Sequence, residues 1–398
     1  MPRALSLPDT LAERVRAGDT ELEIEALPSA DLAREPGRPL HLVDSRGEVL
    51  ATALADPENG VLRILYRGGI DAFGVDFFRT RLSGALALRR DLGLLGSPTE
   101  TAYRLLNGDG DGLSGFVADV YGDFVVLYVY SRGLVQAGRL LAQAILDSTD
   151  VHGVVVKVRP KGGQKPGKVQ QQCIGETPPE RTVVRELDVP YEVHLLGGLN
   201  VGLFTDMREE RRNLGRFVHG RRVLNTFAYT GALSVAAARA GATEVTSVDL
   251  SSGVLKWARE NFILSGLDPE AGPFHFEVGD VRRYLVAQAR EGRLFDTILL
   301  DPPTYSAARA SGWSMKKDYP DLIAAAARLL PPVGGGLWVS SNTRQGKRIS
   351  DQIAAGMEKC GRHATVLEIN GLPPDYPTPL GRRESRYLEV YHLRVEER

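Results

Sequence analysis

The sequence contains few cysteines. Only Cys173 and Cys360 occur among its 398 residues, and they lie far apart in the chain. Domains that depend on disulfides are rich in cysteine, and structural zinc sites need clustered cysteines or histidines. We therefore predict no disulfide framework and no metal site, and a reducing compartment is the simplest location.

The sequence also lacks a long apolar run and an excess of charge of either sign. Its N-terminal stretch turns polar before the apolar part of a signal peptide could form, and no run reaches the length of a membrane span. We therefore expect a cytoplasmic protein without a membrane partner. Because the formal net charge is −1, contact with a nucleic acid would depend on local basic patches.

Residues 221–249 contain the clearest structural pattern. Val223-Leu224 opens a short apolar strand, residues 227–231 form a turn rich in small residues, residues 232–240 favour a helix, and a second strand ends at Asp249. Two apolar strands joined by a helix predict a buried parallel sheet. Ligands of such sheets bind outside the carboxyl ends of the strands.

The turn in this unit lacks a Gly-x-Gly-x-x-Gly pattern, which close approach to a dinucleotide pyrophosphate requires. A nucleoside ligand without phosphate fits better, and S-adenosylmethionine is the common ligand of that kind. The carboxylate of Asp249 is placed to accept hydrogen bonds from its ribose.

Acidic residues end three of the predicted strands, namely Asp249, Asp280 and Asp301. Since consecutive parallel strands end at the same edge of a sheet, these acids should converge on one pocket. The alternative is that Asp249 and Asp280 only cap the helices that follow them.

Several motifs together carry a family resemblance. They are Asp109–Gly115 with Asp119, and residues 205–212, 225–231, 248–251 and 301–306. Their order resembles class I S-adenosylmethionine-dependent methyltransferases, and more narrowly the bacterial enzymes that methylate bases of large-subunit ribosomal RNA. The resemblance covers most of the chain. It implies 23S ribosomal RNA or an assembling large subunit as partner, and a homodimer.

Strand and helix patterns, read with this resemblance, predict three domains. Residues 1–75 form a small β-rich module, which the resemblance makes a PUA-like RNA-binding domain. Residues 76–198 form an α+β middle domain. Residues 199–398 form an α/β, Rossmann-like class I methyltransferase domain, with a seven-stranded, mostly parallel sheet whose last strand is antiparallel.

Within the middle domain we expect a helix from Asp76 to Leu95 and a hairpin of residues 116–121 and 124–130. Residues 101–111 and 161–181 are expected to be loops, and a strand at residues 191–195 should continue the domain.

The resemblance places the cofactor at the turn and at the strand ends. Asp249 would bind the ribose hydroxyls, Asp280 the adenine amino group, and Gly231 would admit the methionine part. Arg208 would hold the methionine carboxylate, with a structural salt bridge as the alternative. The expected cofactor contacts are Arg208, Asn225, Phe227, Tyr229, Thr230, Gly231, Asp249, Leu250, Asp280 and Asp301.

The sequence Asp301-Pro302-Pro303-Thr304-Tyr305 is the candidate catalytic segment. Two prolines fix the backbone and remove N–H donors, so carbonyl groups can face a base. The ring of Tyr305 can stack on a flipped base. We therefore predict Asp301, Pro302, Pro303 and Tyr305 as catalytic residues. The alternative is a rigid turn with Tyr305 in the core.

A cysteine is absent from the place where it would decide the methylated atom. Methylation of cytosine C5 needs a thiolate that first adds to C6. Relatives with that activity carry the cysteine just after the fifth strand, where residues 339–344 read Val-Ser-Ser-Asn-Thr-Arg. Guanine N7 has its own lone pair and needs only positioning.

We therefore favour guanine N7 as the acceptor. Cytosine C5 is an alternative because the domain layout and residues 375–378 resemble that branch. An RNA-binding protein with a catalytically weak methyltransferase fold is the other alternative.

Basic residues suggest where RNA would bind. Lys157, Arg159, Lys161, Lys165 and Lys168 are close in sequence, and six arginines between Arg63 and Arg90 form a diffuse basic set. Each group is either a phosphate contact, whose affinity would depend on salt, or a solvated surface. The predicted RNA contacts are Lys161, Lys165, Lys168, Asn342 and Arg344.

Overall fold

A computed structural model of the chain describes residues 2–27, 31–160, 169–303, 315–342, 348–381 and 385–397. The chain divides into two compact units. Unit 1 contains Met1–Asp188, Val193–Val201 and Pro374–Leu380, and unit 2 contains Val189–Glu192, Gly202–Pro373 and Gly381–Arg398. In the described part of the chain, no helix is long and apolar enough to cross a membrane.

The first sheet of unit 1 is built from the N-terminal residues. Its elements are β1 (Arg3–Ser6), α1 (Asp9–Ala17), β2 (Glu21–Glu23), β3 (Pro39–Val43), β4 (Val49–Asp56) and β5 (Val61–Arg67). The strand order is β1-β3-β4-β5-β2. Helix α1 buries Leu11, Ala12 and Val15 in the core of this sheet. A domain boundary at residue 75 stays a prediction.

The second sheet of unit 1 packs against two helices. Its elements are α2 (Val75–Asp91), β6 (Ala102–Asn107), β7 (Phe116–Tyr121), β8 (Phe124–Val129), α3 (Val135–Ser148), β9 (Gly153–Val158) and β10 (Gln171–Gly175). The strand order is β10-β9-β8-β7-β6. Phe78 and Leu82 of α2, and Leu141 and Ile145 of α3, share one core with this sheet. The predicted helix and the β7–β8 hairpin are confirmed.

Two stretches predicted as loops contain strands. β6 lies within residues 101–111, and a register shift between Arg104 and Leu106 interrupts its pairing with β7. Such a bulge breaks the alternation by which a strand is predicted. β10 lies within residues 161–181 and pairs with β9. Its polar residues are half-buried or exposed, so no apolar run marks it.

Two further strands form a separate hairpin. β11 (Thr182–Glu186) and β12 (Val189–Val193) make a two-stranded sheet. Leu187 and Asp188 between them have φ values of 53° and 60°, as a tight hairpin turn requires. The strand predicted at residues 191–195 is present as β12, and the turn pairs it with its sequence neighbour β11 in a sheet of their own.

Unit 2 is a doubly wound α/β domain. Its main elements are α4 (Arg208–Val218), β13 (Arg222–Thr226), α5 (Ala232–Arg239), β14 (Glu244–Asp249), α6 (Ser252–Leu264), β15 (Phe274–Val278), α7 (Val281–Glu291), β16 (Thr297–Leu300), α8 (Met315–Ala327), β17 (Gly335–Ser341), α9 (Ile349–Cys360), β18 (Arg362–Asn370) and β19 (Glu389–Glu397). The strand order is β15-β14-β13-β16-β17-β19-β18. Strands β13 to β17 are mutually parallel, and β19 is antiparallel to both of its neighbours. The predicted fold class is confirmed.

Both faces of the unit 2 sheet are covered at its central strands. Adjacent residues of one strand enter different cores: Leu224 belongs to one cluster and Val223 to the other, and Leu337 and Trp338 divide in the same way. Successive side chains of a strand point to opposite faces. The central strands β13, β14, β16 and β17 are therefore buried along nearly their whole length, whereas the outer strands β15 and β18 are largely half-buried or exposed.

A buried carboxylate in unit 2 supports a prediction about stability. Trp338 donates from Nε1 to Glu210 Oε2 at 3.1 Å, and the fully buried Glu210 also meets His392 at 2.9 Å. Trp338→Phe removes a donor from a charged group, so we expect a loss of about 2–3 kcal/mol in the free energy of unfolding by urea denaturation.

Trp257→Phe is the matched control. The indole of Trp257 donates over the same 3.1 Å distance to the neutral carbonyl of Glu192. We expect this substitution to cost only about 1 kcal/mol. Equal losses in the two variants would contradict a special contribution from the Glu210 carboxylate.

Candidate active site

The candidate site lies where the order of the parallel strands reverses. β13 pairs with β14 on one side and with β16 on the other, and the chain winds outward from β13 in both directions. Loops leaving the carboxyl ends of such a sheet diverge at this point and open a crevice. The segments after β13, β14 and β16 contain most of the residues predicted to bind the cofactor.

The turn after β13 has a strained backbone. Phe227 and Tyr229 have φ values of 56° and 51°, in a region that residues other than glycine rarely adopt. Gly231 has a φ of 76°, and a Cβ there would overlap Ala258 of α6. Such strain is typical of ligand sites, and here it brings the backbone close to the edge of the sheet.

Asp249 connects this turn to the end of β14. Its Oδ2 accepts the backbone N–H of Tyr229 at 3.0 Å, and its Oδ1 accepts the N–H of Ser251 at 2.9 Å. Each carboxylate oxygen keeps a second lone pair that a ribose hydroxyl could use. Leu250 beside it is 63% exposed, which leaves an apolar surface next to the carboxylate.

Other predicted cofactor residues shape the turn from within the protein. Asn225 is buried and donates from Nδ2 to Ser234 at 2.8 Å, whereas its Oδ1 has no protein hydrogen-bond partner. Thr230 donates its hydroxyl to the carbonyl of Gly202 at 2.5 Å. These contacts hold the turn in one conformation, and Asn225 retains one acceptor.

An aromatic pair covers the turn. The rings of Phe204 and Tyr229 lie 5.5 Å apart, and Phe204 is 45% exposed. Burial raises the pKa of Tyr229 to about 12, so its phenol is neutral at physiological pH. Phe204 was not among the predicted site residues, because a single aromatic residue in a polar linker gives no periodic signal.

The two remaining predicted cofactor residues are fixed by local contacts. Arg208 is only 3% exposed, and its Nε lies 3.5 Å from Glu209. Asp280 caps α7, since its Oδ1 accepts the N–H of Arg283 at 3.1 Å, and Arg282 lies 3.3 Å from its Oδ2. The structure thus contains the capping contact that was the alternative for Asp280. A role at the adenine stays a prediction.

Asp301 at the end of β16 has the most perturbed carboxyl group of the site. Burial raises its pKa to about 6, the nearby Asp206 raises it further, and the hydroxyl of Ser340 donates to its Oδ1 and opposes the shift. Carboxyl groups with such shifts are frequent at functional sites. Pro302 is buried and Pro303 exposed, so the segment leaves the sheet at the protein surface.

Ser340 of β17 and Tyr319 of α8 support Asp301. Tyr319 donates its hydroxyl to the carbonyl of Ser340 at 2.6 Å, and burial raises the pKa of this phenol far above its ordinary value. Neither residue was predicted to belong to the site. The sequence signal for Ser340 was its position near the end of an apolar strand, where only the missing cysteine had been considered.

Several predicted residues lie outside the described part of the chain. These are the catalytic candidate Tyr305 and the RNA-contact candidates Lys161, Lys165, Lys168 and Arg344. Asn342 is described, and it is exposed directly after β17 at the same edge as Asp301. No group of three metal-binding side chains occurs among the described residues.

Part of the predicted basic surface is internal. Lys157 is fully buried, donates to the carbonyl of Gly198 at 2.5 Å, and has a pKa lowered to about 8 by burial. Arg63 is also buried and bonds Asp56 at 2.6 Å, and Arg89 is fully buried as well. These three cations are therefore structural, because each is enclosed by protein.

The residues at this edge fit a nucleoside without phosphate. The site offers a carboxylate with free lone pairs, an apolar surface at Leu250, a close-approach turn and an unsatisfied amide oxygen at Asn225. A polar ribose, a planar base and a cationic tail would each find a complementary group.

The comparisons with known proteins agree with this geometry. A sequence model described as S-adenosylmethionine-dependent methyltransferase matches residues 163–377. Ribosomal RNA large subunit methyltransferase I of Erwinia tasmaniensis is 31% identical over 372 residues, which cover 91% of this chain and 91% of that protein.

Two further comparisons cover almost the whole chain. A ribosomal RNA large subunit methyltransferase of Deinococcus radiodurans is 30% identical over 373 residues, 91% of this chain and 90% of its own. The crystal structure of SMU.776 complexed with SAH has a TM-score of 0.85 and 27% identity, and covers 99% of this chain and 100% of its own. The chain belongs to the S-adenosylmethionine-dependent methyltransferase family, and S-adenosylmethionine is its cofactor.

Proposed function

We propose that this protein transfers a methyl group from S-adenosylmethionine to a base of RNA, and that this RNA is 23S ribosomal RNA, free or in an assembling large subunit. The relatives that match about nine-tenths of the chain are named ribosomal RNA large subunit methyltransferases. The observation that carries the proposal is the position of Asp301 at the carboxyl end of β16, directly before Pro302 and Pro303, which restrict the backbone. Burial raises the pKa of this carboxyl group to about 6.

The cofactor side of the site would be formed by the turn after β13 and by the end of β14. Asp249 would hold the ribose hydroxyls, Leu250 would contact the adenine, and the backbone around Gly231 would approach the methionine part. Arg208 and Asp280 would contribute to the carboxylate and to the adenine amino group. When bound, S-adenosylmethionine supplies an electrophilic methyl group.

The acceptor side favours guanine N7. Methylation at N7 uses the lone pair of the base and leaves a positive charge on the guanine. A carboxylate at Asp301, ionised above about pH 6, would stabilise that charge as it develops. Ser340 stands in the segment where a thiolate would be needed for cytosine C5, and a serine hydroxyl is a much weaker nucleophile than a thiolate.

The RNA contacts stay those that the sequence predicts. Asn342 and Arg344 would contact the target nucleotide, and Lys161, Lys165 and Lys168 would contact phosphate groups of the RNA. The N-terminal sheet would act as a PUA-like RNA-binding module. A homodimer and a cytoplasmic location complete the proposal.

Nucleoside mass spectrometry tests the acceptor. We compare ribosomal RNA from cells with and without the gene and expect one 7-methylguanosine to disappear. Loss of 5-methylcytidine instead would assign the alternative acceptor. No missing methylated nucleoside would favour an RNA-binding protein that keeps the fold without turnover.

Asp249→Ala tests the cofactor side. The variant loses the ribose contact, and we expect its Kd for S-adenosylhomocysteine, measured by calorimetry, to rise at least about tenfold, since a charge-assisted hydrogen bond contributes roughly 1.5–3 kcal/mol. Asp44→Ala is the matched control, because Asp44 also accepts two backbone N–H groups, from Arg46 and Glu48. The control should leave the Kd unchanged. An unchanged Kd in Asp249→Ala would misplace the ribose.

Asp301→Asn tests the acceptor side and has a defined pH dependence. The folded pKa of about 6 lies above the ordinary 3.8, so ionisation costs stability as pH rises from about 4 to 6. At pH 8 the cost is (6 − 3.8) × 1.36, or about 3 kcal/mol at most. The asparagine variant should therefore unfold at higher urea than wild type, with roughly twice the advantage at pH 8 that it has at pH 5. Methyl transfer should fall more than tenfold.

Asp296→Asn is the control of opposite sign. A hydrogen bond from Arg222 lowers the pKa of Asp296 at the other end of β16, so its neutralisation should destabilise the protein at pH 8. A loss of stability in Asp301→Asn at pH 8 would contradict the burial of its charge.

A further inference from the structure

Two sequence motifs that the proposed chemistry does not use lie against each other in unit 1. One is the glycine- and aspartate-rich stretch Asp109–Gly115. The other is the segment Pro374–Leu380, which belongs to unit 1 although the chain on both sides of it belongs to unit 2. More than 250 residues separate the two motifs in the sequence. Their contact therefore reflects a specific interaction and not chain proximity.

Arg89 is the centre of this contact. Its guanidinium is fully buried and bonds both carboxylate oxygens of Asp111, at 2.7 and 2.9 Å. The same group donates to the backbone carbonyl of Asp375 at 2.7 Å and to that of Arg104 at 2.8 Å. A planar guanidinium with its donors directed in this way fixes the position of each acceptor.

Each residue of the segment 375–377 has its own partner. The buried carboxylate of Asp375 accepts the N–H of Arg104 at 2.8 Å. The ring of Tyr376, only 3% exposed, lies 4.1 Å from the guanidinium carbon of Arg104. The carbonyl of Pro377 accepts Nδ2 of Asn107 at 2.8 Å. We call the clamp the set of residues that hold this segment. It consists of Arg89, Arg104 and Asn107, of Asp111, which binds Arg89, and of Gly110, which lies against Pro377.

Gly110 completes the clamp by close approach. A Cβ at this position would overlap the carbonyl group of Pro377. Gly110 is not among the residues with positive φ, so its backbone conformation is open to alanine. Glycine is therefore required at position 110 by the close approach of Pro377 and not by its own backbone conformation.

The chemistry of the clamp favours positioning over stability. A buried ion pair gives up hydration, and apolar residues of similar volume often stabilise a fold equally well. What a bidentate pair adds is a single geometry. The segment it holds is also stiff, because Pro373, Pro374, Pro377 and Pro379 restrict its backbone.

The held segment is part of the connection from β18 to β19, which begins at the functional edge of the sheet. Asn370 ends β18 opposite Val390 of β19, and Val390 pairs on its other side with Ser340. The hydroxyl of Ser340 donates to Asp301. A displacement of the connection would thus be transmitted to strands that adjoin the candidate catalytic carboxylate.

We infer that the clamp positions the connection between β18 and β19, and that through these two strands it keeps Ser340 and Asp301 in place for methyl transfer. This inference rests on the proposed function, because Asp301 belongs to the acceptor side of that site. The clamp residues are positioning residues and touch neither the base nor the cofactor. A loosened clamp should therefore impair RNA methylation and spare cofactor binding.

Gly110→Ala is the test, with Gly84→Ala as matched control. Gly84 lies in α2, and a Cβ there meets nothing within 4 Å. Each full-length variant is assayed for the Kd of S-adenosylhomocysteine, for kcat and KM with ribosomal RNA from cells lacking the gene, and for amide hydrogen exchange in residues 371–381.

For Gly110→Ala we expect at least fivefold faster exchange in residues 371–381. We also expect a Kd within twofold of wild type and a kcat/KM for RNA at least tenfold lower. Gly84→Ala should match wild type in all three measurements. Faster exchange with unchanged kcat/KM would overturn the positioning role, and unchanged exchange would overturn the clamp itself. A Kd raised tenfold would overturn the assignment to the acceptor side.

Asn107→Ala serves as a second variant if Gly110→Ala fails to fold, because it adds no atoms against the segment and removes two bonds of the clamp, the one donated to Pro377 and the one accepted from Arg104. Its expected results are the same in direction, with a loss of three- to tenfold in kcat/KM. If wild type itself methylates none of this RNA, the proposed function fails, whereas the exchange measurement still decides whether the clamp holds the segment.

Discussion

The reversal of strand order at β13 is the constraint on which the candidate site depends. Five parallel strands end at one edge, and the chain leaves that edge in two directions from the centre of the sheet. The crevice between the diverging segments receives the turn after β13, Asp249 from β14 and Asp301 from β16. The apolar strands need only be buried on both faces, and the position of their polar ends follows from the parallel geometry.

The site is built at a cost to stability. Phe227 and Tyr229 occupy backbone conformations that each cost about 1–3 kcal/mol, and burial disfavours the ionised form of the Asp301 carboxyl group. Compensation comes from the surrounding contacts, in which Asp249 accepts two N–H groups and Thr230 anchors the turn to Gly202. The central strands beneath these residues are buried and closely packed, and such packing opposes relaxation of the strain.

The clamp in unit 1 shows the same use of buried charge away from the reaction. Arg89 and Asp111 form a pair that an apolar core could replace, yet their geometry specifies where Asp375 lies. In both places a charged group fixes a segment of chain that has little regular structure of its own. Buried polar contacts of this kind are directional, whereas apolar packing tolerates sliding.

The fold class and the cofactor could be predicted from the sequence, and so could the strand ends that form the candidate site. The alternation of apolar strands and helices after residue 221, the acids that end the strands and the family motifs together determined the class I methyltransferase fold and its cofactor. These features are local, since each depends on residues that are neighbours in the sequence. The sequence patterns could not reveal β6, whose bulge breaks the period of two, or β10, whose polar residues lie at a sheet edge.

Only the tertiary structure decided which charged groups are buried and what they contact. Lys157 and Arg89 belong to basic clusters in the sequence, but the folded protein encloses both of them. Ser340 lies beside Asp301, and Phe204 lies beside Tyr229, only in the folded chain. The meeting of Asp109–Gly115 with Asp375 is of the same kind. The physical reason is that a pattern along the chain reports periodicity and local conformation, whereas burial and pKa depend on neighbours that are distant in sequence.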